Sequence, residues 1–311
     1  EMLRHAEPKI VLAKMGKTKP IPTNTAKTVK FRRPKPFPVS TIPLAEGVTP
    51  TPQKLQYEDV EATLKQYGNV VELSDVVLDT SEDPVLNDAA ELIGEQAGAT
   101  SEQVVYAAVK GGTNVFYANG ANRAAVNTAI SLNKQRAVTR QLNAQKAKKI
   151  TKILDGSPDY GTSPVEAAFV AVTHTDVEAD IRNMAGFVPT SKYGDRRLVS
   201  EHEIGMVENV RYVLSEDLAP YLDAGGAPST TVVSNGGSAA DVYPVLFFGE
   251  DAFGVVPLKG KNAMTPTVVN PKPSAADPLA QRGYAGYKFM MTAVILNELW
   301  MCRLEVAVSK L

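Results

Sequence analysis

The sequence predicts an α+β fold, and three observations carry that reading. Apolar residues recur at helical spacing over 84–110, about 27 residues, which is long for a globular helix. Short strand-like runs alternate with short helical ones through the rest of the chain. No Gly-rich strand-to-helix crossover of the nucleotide-binding type appears, which argues against a doubly wound sheet.

Taken in order, residues 1–15 predict a short amphipathic helix, limited by Pro8. Eight prolines between Pro20 and Pro52 deny 16–52 any long helix. Thr28-Val29-Lys30-Phe31-Arg32 alternates like a strand, and Leu55 to Leu64 reads as a second extended piece. Together they form a long two-stranded arm with little apolar material, and such a hairpin is marginal alone. It needs something to lie against, which is the first sign of assembly. Val70–Val77 reads as a strand or a tight turn. Asp83 and Pro84 then open the long helix, and Gly111-Gly112 closes it. Residues 123–150 read as a second, basic helix, and 155–161 as a loop. Ala167–Val172, Glu203–Val207, Val210–Leu214, Tyr243–Phe248 and Phe253–Leu258 read as strands, with a helix over 175–184 and a loop over 223–240. Tyr287–Leu296 and Trp300–Val308 are expected to pair as a hairpin, with a helix followed by a strand as the alternative.

Composition is ordinary for a globular chain: 311 residues, 44% hydrophobic and 22% charged. A single cysteine, Cys302, excludes an internal disulfide framework. No apolar run reaches the roughly 20 residues of a membrane helix, so no membrane association is expected. The first residues carry no secretory-signal pattern. The net charge of −1 hides strong blocks. Residues 1–38 carry ten Lys/Arg against two acids, 39–102 carry two against thirteen, and 123–152 carry eight against none. Blocks of opposite sign can pair within a fold, pair between copies, or face a polyanion.

Catalytic motifs fail. Gly16-Lys17-Thr18 resembles the end of a phosphate-binding loop, but Val11 stands where that loop needs its first glycine. Ser131 and Lys134 match a serine–lysine spacing without its companion motifs. His5, His174 and His202 are scattered, so neither a metal nor any other cofactor is expected. Asp176, Glu178 and Asp180 read as an acidic helix start. Cys302 reads as a buried structural thiol. The chain is therefore not expected to be an enzyme. The acid-free basic stretch, with Arg136, Arg140, Lys146, Lys148 and Lys149, suits backbone phosphates or a neighbouring subunit. It lacks interleaved aromatic residues and any zinc-finger or helix-turn-helix spacing.

Several ordered strings resemble one family. They include Leu3-Arg4-His5-Ala6-Glu7-Pro8, Gly16-Lys17-Thr18-Lys19-Pro20-Ile21-Pro22, Lys27-Thr28-Val29-Lys30-Phe31-Arg32-Arg33 and Leu44-Ala45-Glu46-Gly47-Val48-Thr49-Pro50. Further on come Ala62-Thr63-Leu64-Lys65-Gln66-Tyr67-Gly68, Asp83-Pro84-Val85-Leu86 and Glu203 through Val213. Asp277-Pro278-Leu279-Ala280-Gln281-Arg282-Gly283 and Asn297 through Glu305 close the set. In this order the chain resembles the major capsid proteins of tailed bacteriophages related to the N4 coat protein.

That resemblance implies an HK97-like capsid fold and a structural role in the icosahedral shell around the viral genome, in the virion. It implies an N-terminal arm over 1–24, an extended β-hairpin (the E-loop) over 25–68, and a peripheral domain with a spine helix over 69–119. An axial domain would take most of 120–280, with peripheral strands near 204–214, and 281–311 would supply C-terminal strands. Implied partners are further copies as hexamers and pentamers, a portal protein, a cement or scaffold protein, and packaged double-stranded DNA. Charge order adds one expectation: Lys27, Lys30, Arg32 and Arg33 of the arm meet Glu82, Asp83, Asp88 or Glu91 of the next copy. The competing readings are an encapsulin-like compartment, a nonspecific nucleic-acid-binding protein working through 123–152, and a soluble enzyme.

Overall fold

The computed structural model describes residues 10–41, 43, 46–47, 49–76, 85–154, 162–194, 197–259, 264–273 and 278–311. The arm contributes α1 (Leu12–Met15), β1 (Lys17–Thr18) and β2 (Ile21–Pro22). The hairpin is β3 (Thr28–Pro34) with β4 (Tyr57–Thr63), and β5 (Lys65–Ser74) follows. Next come the long helix α2 (Val85–Lys110), β6 (Val115–Tyr117), α3 (Leu132–Ala144), β7 (Ile150–Leu154) and β8 (Thr162–Thr173). The remainder is α4 (Glu178–Arg182), β9 (Phe187–Pro189), β10 (Glu203–Val207), β11 (Val210–Leu214), β12 (Tyr243–Phe248), β13 (Phe253–Lys259), β14 (Met264–Val269), β15 (Arg282–Ile295) and β16 (Met301–Val306).

Two sheets organise the chain. In the six-stranded sheet, β15 is the spine of pairing: β5 runs along one edge, while β14 and β13 share the other. The arm strands β1 and β2 add to β13 in parallel. The eight-stranded sheet has the order β6-β16-β12-β8-β11-β10-β9, with β7 also on β8.

The central strands of the larger sheet are apolar on both faces because both faces are covered. On β8, Val170 and Val172 face the core beneath α2, while Phe169 and Ala171 face a second core. On β12, Leu246 and Phe248 divide from Val245 and Phe247 in the same way. The first core joins α2 (Ala89, Ile93, Ala97, Val105, Tyr106, Val109) to Tyr287, Phe289 and Met291 of β15. The second is closed by Val138 and Leu142 of α3 and Ile181 of α4. Each such side chain adds roughly 1.5–3 kcal/mol on burial.

Four expectations change. The helix expected over 1–15 is described only at Leu12–Met15, since 1–9 lie outside the described residues. The basic helix expected over 123–150 is a 3₁₀ turn at Arg123–Ala125, then α3, then the strand β7. The helix expected over 175–184 is a 3₁₀ turn followed by the five-residue α4. The C-terminal stretches do not pair. β15 and β16 lie in different sheets, joined by a 3₁₀ turn in which Asn297 Oδ1 accepts from Leu299 N at 3.2 Å. The strands β10 and β11, over 203–214, both belong to the eight-stranded sheet.

Candidate functional site

The β3–β4 hairpin packs on the body at its base. Phe31 and Ala62 are its buried residues, packed with Ile21, Leu64 and Val256. Gly254 on β13 makes room for Phe31: a Cβ there would lie 2.8 Å from Phe31 Cζ. Beyond the base the strands are exposed and tied by three cross-strand ion pairs. Lys30 meets Glu61 at 2.8 Å, Arg32 meets Asp59 at 2.9 Å, and Arg33 meets Glu58 at 2.6 Å. Antiparallel register sets these residues directly opposite one another. Hydrogen bonds from the Arg partners hold the Glu58 and Asp59 carboxyls below their ordinary range, and Glu61 raises the Lys30 amine. From the Pro34–Tyr57 pair outward the hairpin ends in exposed apolar side chains. Phe37, Val39, Leu55 and Tyr57 are 53%, 80%, 54% and 52% exposed.

Within the chain, Lys30, Arg32 and Arg33 pair across the hairpin with Glu61, Asp59 and Glu58. Lys27 is exposed at the base, where its carbonyl accepts from Leu64 N at 2.9 Å. Of the acids expected opposite them, Asp88 and Glu91 are exposed on the first turns of α2, while Glu82 and Asp83 lie outside the described residues.

The basic stretch divides. Arg136 pairs with Glu208 at 2.5 Å. Arg140, Lys146 and Lys148 are exposed, and half-buried Lys149 lies 5.9 Å over the Phe169 ring. The acids of the 176–180 region turn to separate partners. Asp176 accepts from Tyr243 Oη, Glu178 pairs with Arg182, and Asp180 accepts from Ser309 N.

Two polar groupings escaped the sequence reading. Glu102, fully buried on α2, accepts from Leu12 N at 2.8 Å and Val11 N at 3.1 Å and so clasps the arm. Glu305, fully buried on β16, receives two bonds from Arg123, at 2.8 and 2.7 Å, and one from Arg303 at 2.9 Å. The one available signal was the alternation of Arg303 and Glu305 within an apolar strand.

A protruding, ion-paired hairpin with an apolar tip, beside a long helix on a sheet, is a shape suited to interlocking copies. The family model described as "Phage capsid protein" matches residues 57–287, most of the chain. The chain belongs to the phage capsid protein family. This capsid protein is similar to the capsid of Ralstonia phage GP4, with a TM-score of 0.68 at 13% identity over 97% of this chain and 90% of that one. It is also similar to the capsid of cyanophage Pam1, with a TM-score of 0.62 at 12% identity over 99% and 94%. The capsid of cyanophage P-SCSP1u gives 0.60 at 14% identity over 96% and 89%. No curated protein matches. The fold is the HK97-like α+β capsid fold, and the protein is a structural component of the phage shell, located in the virion. The narrower likeness to the N4 coat protein rests on the sequence strings alone. Among the described residues, no helix is long and apolar enough to cross a membrane.

Proposed function

We propose that this capsid protein builds an icosahedral shell from hexamers and pentamers of itself around packaged double-stranded DNA, with the β3–β4 hairpin laid over a neighbouring copy. The observation that carries this reading is the hairpin's exposed tip. Four large apolar side chains there stand half or more exposed, although burying each is worth roughly 1.5–3 kcal/mol. Many such contacts act together in a closed shell, so each can be weak. In this reading the arm is 1–24, the hairpin 25–68, the peripheral part 69–119 and the axial part most of 120–280, with C-terminal strands over 281–311. Exposed Arg140, Lys146 and Lys148 supply nonspecific contact with DNA or with a neighbour. A portal protein fills one vertex, and a cement or scaffold protein supports the shell. The role is structural rather than enzymatic.

The test is the mass and shape of the purified assembly, by light scattering and negative-stain electron microscopy. Particles tens of nanometres across with icosahedral outlines are expected, as a many-copy closed shell requires. A monomer that persists on concentration and across a salt series would overturn the reading.

A further inference from the structure

The C-terminal end of α2 carries more positive charge than its surroundings neutralise. Arg303 and Glu305 stand two apart on β16 and share a face. Arg303 spans Glu305 and the carbonyls of Lys110 and Gly112 that end the helix. Arg123 takes Glu305 through Nε and Nη2. The Lys110 ammonium lies 3.8 Å from the Tyr221 ring centre and 5.0 Å from that of Tyr106, and the Arg123 guanidinium lies 3.5 Å from Tyr221. Three cations thus face Glu305, and with Glu298, which accepts from Thr113 N at 3.0 Å at the same helix end, the excess is one positive charge. The Tyr106 and Tyr221 phenols beside them are pushed up by burial and are neutral at pH 7. Burial lowers the Lys110 amine from its ordinary range, and Arg123 and Arg303 push the same way more strongly than Glu305 resists. The cluster reaches the surface, since Arg123 is one-third exposed and Lys110 half-buried.

We propose that this cluster receives an acidic side chain from a second copy of the chain, its carboxylate seated against Lys110 and Arg123. The proposal rests on the shell reading above. A nucleic-acid backbone is met by cations spread along its length. Here the cations converge on one point, and two of them already hold Glu305, which suits a single carboxylate. The chain offers such groups in its acidic 39–102 block, where Asp88 and Glu95 stand exposed on α2.

The experiment compares the full-length wild type with Lys110→Met, before and after assembly. Acetic anhydride labels exposed amines, and mass spectrometry reads Lys110. Removing a cation from a like-charged cluster should leave the subunit's melting temperature unchanged or raised. The same change should raise the concentration needed for assembly by about tenfold, as expected when one side of an interfacial charge pair is lost. In the wild type, Lys110 acetylation should slow by about tenfold on assembly, as a desolvated ion pair predicts. Assembly of Lys110→Met at wild-type concentration overturns the contact. So does a Lys110 as reactive in shells as in free subunits, a reading that stands even if the variant fails to fold. Protection by added duplex DNA without assembly would assign the cluster to phosphate and overturn the contact as well. A wild type that forms no particles would overturn the shell reading, and this contact with it.

Discussion

Glu102 caps a helix that lies ninety residues away in sequence. The four-residue α1 has Val11 at its N-cap and no capping side chain of its own, so the Glu102 carboxylate supplies the acceptor. Burial outweighs those bonds and raises the carboxyl to about 7, with Asp217 pushing the same way. Once the arm lifts off, the group returns to about 4.3. The docked form then holds more protons between those values. Docking is firmest below the undocked pKa, weakens as pH rises to about 7, and is level above that. The whole effect is at most roughly 4 kcal/mol. Hydrogen exchange over residues 10–16, corrected for intrinsic rates, should quicken across that window in unassembled subunits, and Glu102→Gln should flatten the response. A wild type without the pH step would refute the latch. The sequence made Cys302 legible as a structural thiol, and it is fully buried with its pKa pushed up to about 12. Glu102 and Glu305 were not legible: Glu102 stands between Ser101 and Gln103 like any polar helix residue, and the partners Leu12 and Arg123 are remote in sequence.

At the scale of elements, legibility followed the stop signals. α2 was readable because Gly111-Gly112 follows it. The end of α3 was not. The chain leaves that helix at Lys146, whose φ is 55°, with Ala147 N bonded to Leu142 O at 3.0 Å and Lys146 N to Asn143 O at 2.9 Å. Those two bonds are the Schellman pattern, which usually places glycine at the left-handed position. With lysine there, the helical pattern seemed to run on to 150 and hid β7. Lys146→Gly should relieve the left-handed strain and stabilise the subunit by about 1 kcal/mol. Thermal melting checks this, and a lower melting temperature would show that the lysine side chain contributes more than its backbone costs. The break between β15 and β16 was hidden differently, since Asn297-Glu298 suits a hairpin turn as well as the 3₁₀ turn that carries the chain from one sheet to the other.

At the scale of the whole molecule, the charge blocks announced pairing but not its range. The arm cations Lys30, Arg32 and Arg33 found their acids across one hairpin, because an antiparallel register brings residues 58–61 opposite 30–33. Composition records the sign of a block and nothing of the distance to its partner. The same hairpin separates folding from assembly. Its base belongs to a core with Ile21, Leu64 and Val256, whereas the exposed apolar residues of the tip belong to none of the three cores. Pro34 pairs with Tyr57, and Lys35 N bonds to Gln56 O at 2.9 Å, so the strands can be closed just beyond that bond. Replacing residues 36–55 with Asn-Gly, the turn that matches the twist of a two-residue hairpin loop, should leave the subunit's melting temperature within about 2 °C of wild type. Shell formation should be lost, as read by light scattering and electron microscopy. Shells formed by the shortened chain would move the essential contact away from the tip, and a large fall in melting temperature would show that the tip supports the fold of its own subunit.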